Sequence, residues 1–303
     1  HNYPMIPFFI YYSMFGFQRV GDLIWAAGDL RCRGFLIGGT AGRTTLNGEG
    51  LQHEDGHSHL TASTIPNCVS YDPTFAYELA VIVQDGLRRM YQEQEDIFYY
   101  ITVMNENYAH PDLPKGAEQD ILKGMYLLQD RSHQHKEKKI PLQLLGSGTI
   151  LREVMAAAEI LQNDYGVAAD VWSVTSFNQL RREALSVSRW NMLHPTKNAK
   201  TSHIENCLKN RSGPVVAATD YMKLYADQIR AFIPGRYSVL GTDGFGRSDT
   251  REKLRHFFEV DRYYITVAAL KVLSEEGKIP AKLVSQAIKT SGIDPEKPEP
   301  ITQ

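Results

Sequence analysis

"IPFFIYYSMFGFQRVGDLIWAAGDLRCRGFLIGG", residues 6–39, reads as strand, helix, strand in one run. "FFIYY" (8–12) is a short continuous apolar segment of the kind that forms a buried strand. Phe15, Val20, Leu23, Ile24 and Ala27 then recur at helical spacing up to a stop at Gly34, and "FLIGG" (35–39) reads as a second strand. A helix between two short apolar strands is the unit of a parallel sheet.

The same rhythm continues downstream. "TIPNCVSYDP" (64–73) reads as a strand. Phe75, Leu79, Ile82 or Val83, Leu87 and Met90 outline an amphipathic helix, and "FYYITVMN" (98–105) is the next strand. The polar, proline-containing "NENYAHPDLPKGAEQD" marks a boundary near residue 112, followed by a short helix and the charged "QDRSHQHKEKK". A second α/β unit begins at "IPLQLLGSG" (140–148). It continues with the helix "TILREVMAAAEILQNDYG", the strands "DVWSVTSF", "PVVAATD" and "YSVLGTDGFG", and helices from Thr250 onward. The expected class is α/β, with mainly parallel sheets flanked by helices. There is no fixed-period repeat and no low-complexity tract.

A chain of 303 residues buries roughly three quarters of the surface it exposes when unfolded, enough for one or two domains without staples. With 33 basic and 35 acidic residues and no basic block interleaved with aromatics, nucleic acid is not an expected partner. Cys32, Cys68 and Cys207 are widely spaced and suit buried thiols in a reducing cytosol. The apolar runs fall short of the roughly 20 residues that cross a bilayer, so no membrane association is expected and a cytoplasmic location fits. The opening at His1 rather than at methionine points to a processed or truncated chain, or to one whose beginning lies upstream.

Between the second and third strands lies "GGTAGRTTLNGEGLQHEDGHSH" (38–59), which has no apolar periodicity. His53-Glu54-Asp55-Gly56-His57 inside it spells HExxH. A zinc protease needs that motif on a helix, whereas Gly56 interrupts it and Asn47, Gly48 and Gly50 precede it. His59 is the available third ligand. A solvated loop and an active-site loop, whose histidines and carboxylates set one another's proton affinity, are the other readings. "GTDGFGRSD" (241–249) looks like a phosphate-cradling loop after a strand, but glycines there are more often plain turns. The aromatics Phe8, Phe9, Tyr11, Tyr12, Phe15 and Phe17 suit a core, and "LRRM" (87–90) and "HKEKK" (135–139) read as solvated surface.

"PMIPFFIYYSMFGFQRVGDLIWAAGD", "RGFLIGGTAGRTTLNGEGLQHEDGHSH", "YYITVMNENY", "RWNMLHP", "ATDYMKL" and "VLGTDGFGRSDTREKLRHFFEVD" closely resemble the homodimeric bacterial pyruvate dehydrogenases, relatives of transketolase, from residue 1 to about 290. The resemblance implies that residues 1–112 are the later part of a pyrimidine-binding domain and 113–303 a transketolase-like C-terminal domain. It implies that Tyr12, Phe15 and Arg19 lie beside the aminopyrimidine ring of thiamine diphosphate. It implies that His53 is the active-site histidine, with Glu49 a carboxylate near it. The family's reaction decarboxylates pyruvate and passes the acetyl unit to the lipoyl group of the dihydrolipoyl acetyltransferase component.

That family holds Mg²⁺ and the diphosphate on an upstream domain, through a GDG motif and a later asparagine. Gly-Asp-Gly does not occur here, "TDG" at 242–244 lacks the leading glycine, and no asparagine follows Asn210. The metal and diphosphate ligands are therefore expected outside this segment, which would be inactive alone. The alternatives are a non-catalytic dimerisation or docking module, a subunit of a split transketolase-like enzyme, and a metallohydrolase.

Overall fold

The computed structural model describes residues 5–132 and 139–303. It contains two sheets. The first has strands β1 (Phe8–Tyr12), β2 (Phe35–Gly39), β3 (Cys68–Tyr71) and β4 (Phe98–Thr102), in the order β1-β2-β4-β3 with every pairing parallel. The second has β5 (Met125–Gln129), β6 (Ile140–Gly146), β7 (Val167–Val174), β8 (Val215–Ala218) and β9 (Tyr237–Leu240), in the order β5-β7-β6-β8-β9. Among the described residues only β5 runs antiparallel to its neighbour. This is the α/β class with parallel sheets flanked by helices.

Both sheets are covered on two faces, which is why their central strands are apolar almost throughout. Side chains alternate between faces along a strand. Leu144 accordingly packs with Val154, Leu161 and Leu270 on one side, while its neighbour Leu145 packs with Phe177, Ile204 and Tyr225 on the other. In the first sheet Tyr99 and Ile101 face Ile82 and Met90, and Phe98 and Tyr100 face Phe17 and Ile24.

Several helices begin at polar caps. Ser176 accepts from Gln179 N, Thr250 from Lys253 N, and Asp261 from Tyr263 N and Tyr264 N.

The two sheets are joined by a polar seam. The fully buried Glu78 accepts from Thr74 N and Phe75 N in the first unit, and from Ser173 Oγ at 2.6 Å and Tyr126 OH at 2.7 Å in the second. Asp72 N donates to Thr175 O at 2.8 Å, and Ser176 Oγ donates to Ser70 O at 2.6 Å.

Four expectations need correction. β1 is not a buried strand: it lies at the sheet edge, with Phe8, Phe9 and Ile10 at 49%, 57% and 70% exposure. Of the aromatic cluster only Phe17 is buried. Met90 of "LRRM" is fully buried under the first sheet, because the helix Ala76–Leu87 continues as a π-helical turn over Arg88–Gln92. Cys32 is exposed, while Cys68 is buried and Cys207 half-buried. Of "HKEKK", residues 135–138 lie outside the described residues. Strand β5 and the helices Ser58–Ser63, Phe177–Leu193 and His203–Leu208 are additions to the sequence reading.

Candidate active site

β1 ends at Tyr12 and the helix Ser13–Asp29 starts immediately, so one turn separates Tyr12, Phe15 and Arg19 along the same rim. Tyr12 and Phe15 pack on the His53 ring, and Arg19 packs on Phe15. The His53 ring lies 5.3 Å from Tyr12 and 5.0 Å from Phe15, edge-on to the latter, and the Arg19 guanidinium sits 3.9 Å from the Phe15 centroid. Tyr12 is 43% exposed and Arg19 is exposed, so the cluster opens to solvent. His53 Nδ1 is buried, has no hydrogen-bond partner, and lies 3.9 Å from Glu49 Oε2. The five site residues named from the sequence are thus brought together. Aromatic faces beside an unpartnered imidazole nitrogen and a guanidinium suit a flat heteroaromatic ligand with polar edges.

The three histidines of the loop are separated. His53 closes a 3₁₀ turn (Leu51–His53), and His57 precedes the helix Ser58–Ser63 with its Nε2 2.7 Å from Gln18 Nε2. His59 is fully buried against Tyr221 and Tyr225, with its Nε2 3.0 Å from Thr102 Oγ1. Burial pushes the His59 pKa down to about 3, so it stays neutral. His53 and His57 therefore do not share a helix as HExxH zinc chemistry requires. Asp55 Oδ1 accepts from His57 N and Ser58 N just before the short helix. Among the described residues no three His, Cys, Asp or Glu side chains are grouped to hold a metal.

First-unit partners such as Thr102 and Tyr100 hold one end of this loop, and the rest of its anchors come from the second unit. Asp220, at the end of β8 and fully buried, accepts from Thr44 N at 2.9 Å, Thr44 Oγ1 at 2.6 Å and Thr45 Oγ1 at 2.6 Å. Arg43 Nη1 donates to the carbonyls of Thr242 and Gly244, and its guanidinium lies beneath Gly56. A Cβ at Gly56 would stand 2.4 Å from Arg43 Cζ, so any larger residue there displaces the Arg43 guanidinium. Burial lowers the Arg43 pKa, opposed by Asp55, Asp220, Glu54 and Asp243 around it.

Glu54 is also fully buried. Its Oε2 accepts from Arg247 N at 2.7 Å and its Oε1 has no partner. Burial raises its pKa to about 8, against the opposing Arg247 N–H and Arg43, so it is protonated at neutral pH. Sequence reasoning named Glu54 only within the HExxH spelling and passed over Arg43 and Asp220.

Residues 1–111 match the family profile of the pyruvate dehydrogenase E1 component middle domain, and residues 124–261 that of the transketolase-like TK C-terminal domain. The chain is 67% identical over 302 residues to a pyruvate dehydrogenase E1 component of Pseudomonas aeruginosa, covering 99% of this chain and 34% of that protein. The corresponding protein of Cupriavidus necator is 64% identical, with 100% of this chain and 34% of that protein covered. That of Escherichia coli K12 is 59% identical, with 99% and 33% covered. The chain thus spans about a third of the length of the curated relatives it matches. Among solved structures, a transketolase from Campylobacter jejuni superposes with a TM-score of 0.65 at 17% identity, over 88% of this chain and 36% of that one. A split-gene transketolase, solved as an inactive β4 tetramer, gives 0.59 at 15% identity, over 89% and 77%. At these identities the likeness is one of fold.

Proposed function

The chain belongs to the pyruvate dehydrogenase E1 component family, and from that premise we propose that it is the part of a pyruvate-decarboxylating enzyme that handles protons beside thiamine diphosphate. In this reading residues 1–112 finish the pyrimidine-binding domain and 113–303 form the C-terminal domain. The observation that carries it is the packing of Tyr12 and Phe15 against the His53 ring, with Arg19 over Phe15 and Glu49 beside His53 Nδ1.

The aromatic faces of Tyr12 and Phe15 would hold the aminopyrimidine ring, with Arg19 supplying polar contact at its edge. When bound, thiamine diphosphate supplies a nucleophilic carbon that adds to the keto carbon of pyruvate and takes up the electron pair left by carbon dioxide. This chain's part is proton handling. Glu49 beside Nδ1 favours the tautomer with the proton there, which leaves Nε2 of His53 to give and take protons at the substrate oxygen. The diphosphate and Mg²⁺ are held by residues outside this segment, so the segment alone neither binds cofactor nor turns over. The acetyl unit passes to a lipoyl group of the dihydrolipoyl acetyltransferase, and the working form is a homodimer whose β1 face meets the second copy.

Two substitutions in the complete polypeptide separate binding from chemistry. Phe15→Ala raises the Kd for thiamine diphosphate about threefold to tenfold, the value of one aromatic contact. His53→Ala leaves that Kd near wild type and lowers kcat for pyruvate decarboxylation about 10² to 10⁴-fold. An unchanged kcat in His53→Ala, or saturable cofactor binding by the 303-residue segment alone, contradicts the corresponding part of the proposal.

A further inference from the structure

We infer that the loop 241–249 of the second unit is a positioning element for His53, acting through Glu54 and Arg43. This rests on the reading of His53 given above. The loop looks like a phosphate cradle in sequence, yet its backbone is spent on the histidine loop. Arg247 N donates to Glu54 Oε2, Asp249 O accepts from Gly48 N at 3.3 Å, and the carbonyls of Thr242 and Gly244 accept from Arg43. Arg251, just past the loop, donates from Nε to Thr45 O at 2.7 Å. Gly246 lies flat against the 3₁₀ turn that ends in His53: a Cβ there would meet Leu51 O at 2.4 Å and Glu54 Cβ at 2.9 Å.

These contacts bracket His53. Glu54 follows it in the chain, Leu51 opens its turn, and Arg43 fills the space under Gly56. Glu54, protonated, keeps an acceptor for Arg247 N–H without leaving an unpaired buried charge on its own carboxyl. The second unit therefore takes part in the chemistry at one remove, by setting where the imidazole stands. A misplacement of about 1 Å at a reacting group is enough to cost up to about 10²-fold in rate.

The test uses the complete polypeptide and two readouts. The first is hydrogen exchange of the 51–57 amides without cofactor, and the second is kcat and KM for pyruvate decarboxylation. Gly246→Ala and Glu54→Ala are expected to speed exchange in 51–57 about tenfold or more. They lower kcat about tenfold to 10²-fold while the KM for pyruvate stays within about threefold. Glu54→Gln, which keeps the shape and an acceptor for Arg247 N–H, recovers most of what Glu54→Ala loses. Wild-type exchange in both Gly246→Ala and Glu54→Ala overturns the inference, as does faster exchange with unchanged kcat, or failure of Glu54→Gln to recover either readout. If Gly246→Ala does not fold, the Glu54 pair decides alone. His53→Ala in the same assay separates the two claims. Loss of activity there with none in Glu54→Ala removes the positioning role only, whereas full activity in His53→Ala removes the reading of the site itself.

Discussion

Strand β7 is buried at all eight of its positions although it includes Asp170 and Ser173, whereas the wholly apolar β1 leaves Phe8, Phe9, Ile10 and Tyr12 in the open. The two strands follow the same sequence grammar and differ in neighbours. β7 lies between β5 and β6 with helices on both faces, while β1 pairs on one side only, with β2. An edge strand with an exposed apolar row presents a surface suited to further association. The second unit acts as a frame, sharing part of its core with the first through Phe75 and Glu78. The first carries the candidate site on its unfinished side and takes part of its order from that frame.

The sharpest way to break this comparison is to remove the strongest link between frame and site. Arg43→Met strips the buried cation from among Asp55, Asp220, Glu54 and Asp243, and a loss of about 3–5 kcal/mol is expected from the urea midpoint. A midpoint within error of wild type would mean that the site side holds itself.

A smaller effect probes the seam. Asp72 is fully buried, accepts from Thr102 Oγ1 at 2.7 Å, and faces Tyr221 and Asp220. Burial raises its pKa to about 7 from 3.8, so the folded chain keeps a proton that the unfolded chain releases. Stability from this group is present below the unfolded value and is lost as pH rises towards 7. Asp72→Asn lacks that slope. Its stability relative to wild type should improve by about 1–3 kcal/mol between pH 5 and pH 8, read from paired denaturation curves. An equal offset at both pH values would show that Asp72 is ionised when folded.

The smallest effect on stability falls on the open edge. Ile10→Lys at a 70% exposed position should change the segment's own stability by no more than about 0.5 kcal/mol. In the complete protein it should shift the sedimentation profile towards monomer. An unchanged profile would place the association surface elsewhere.

The fold was legible where periodicity is strong. The alternation of central strands with amphipathic helices placed eight of the nine strands, within a few residues. Strand β5 was hidden because "MYLLQ" is a brief apolar run directly after a short helix, and nothing in its pattern tells a strand from a continued helix. The exposure of β1 was illegible for a different reason: apolar content reports a preference for burial, and only the sheet order says whether a neighbour is there. His53, Glu49, Tyr12, Phe15 and Arg19 are named from the sequence because they lie in motifs that resemble a family. The contacts of Arg43, Glu54 and Asp220 could not be read there, because they run across 199 residues for Arg43 with Thr242, 193 for Glu54 with Arg247 and 176 for Asp220 with Thr44. Such pairings leave no local pattern.

The most direct test of the account is carbon dioxide release from pyruvate by the complete polypeptide carrying His53→Ala, with and without added imidazole. The account predicts a loss of about 10² to 10⁴-fold, partly recovered as imidazole takes over the proton transfers, at an unchanged affinity for thiamine diphosphate. A wild-type rate without imidazole would contradict it.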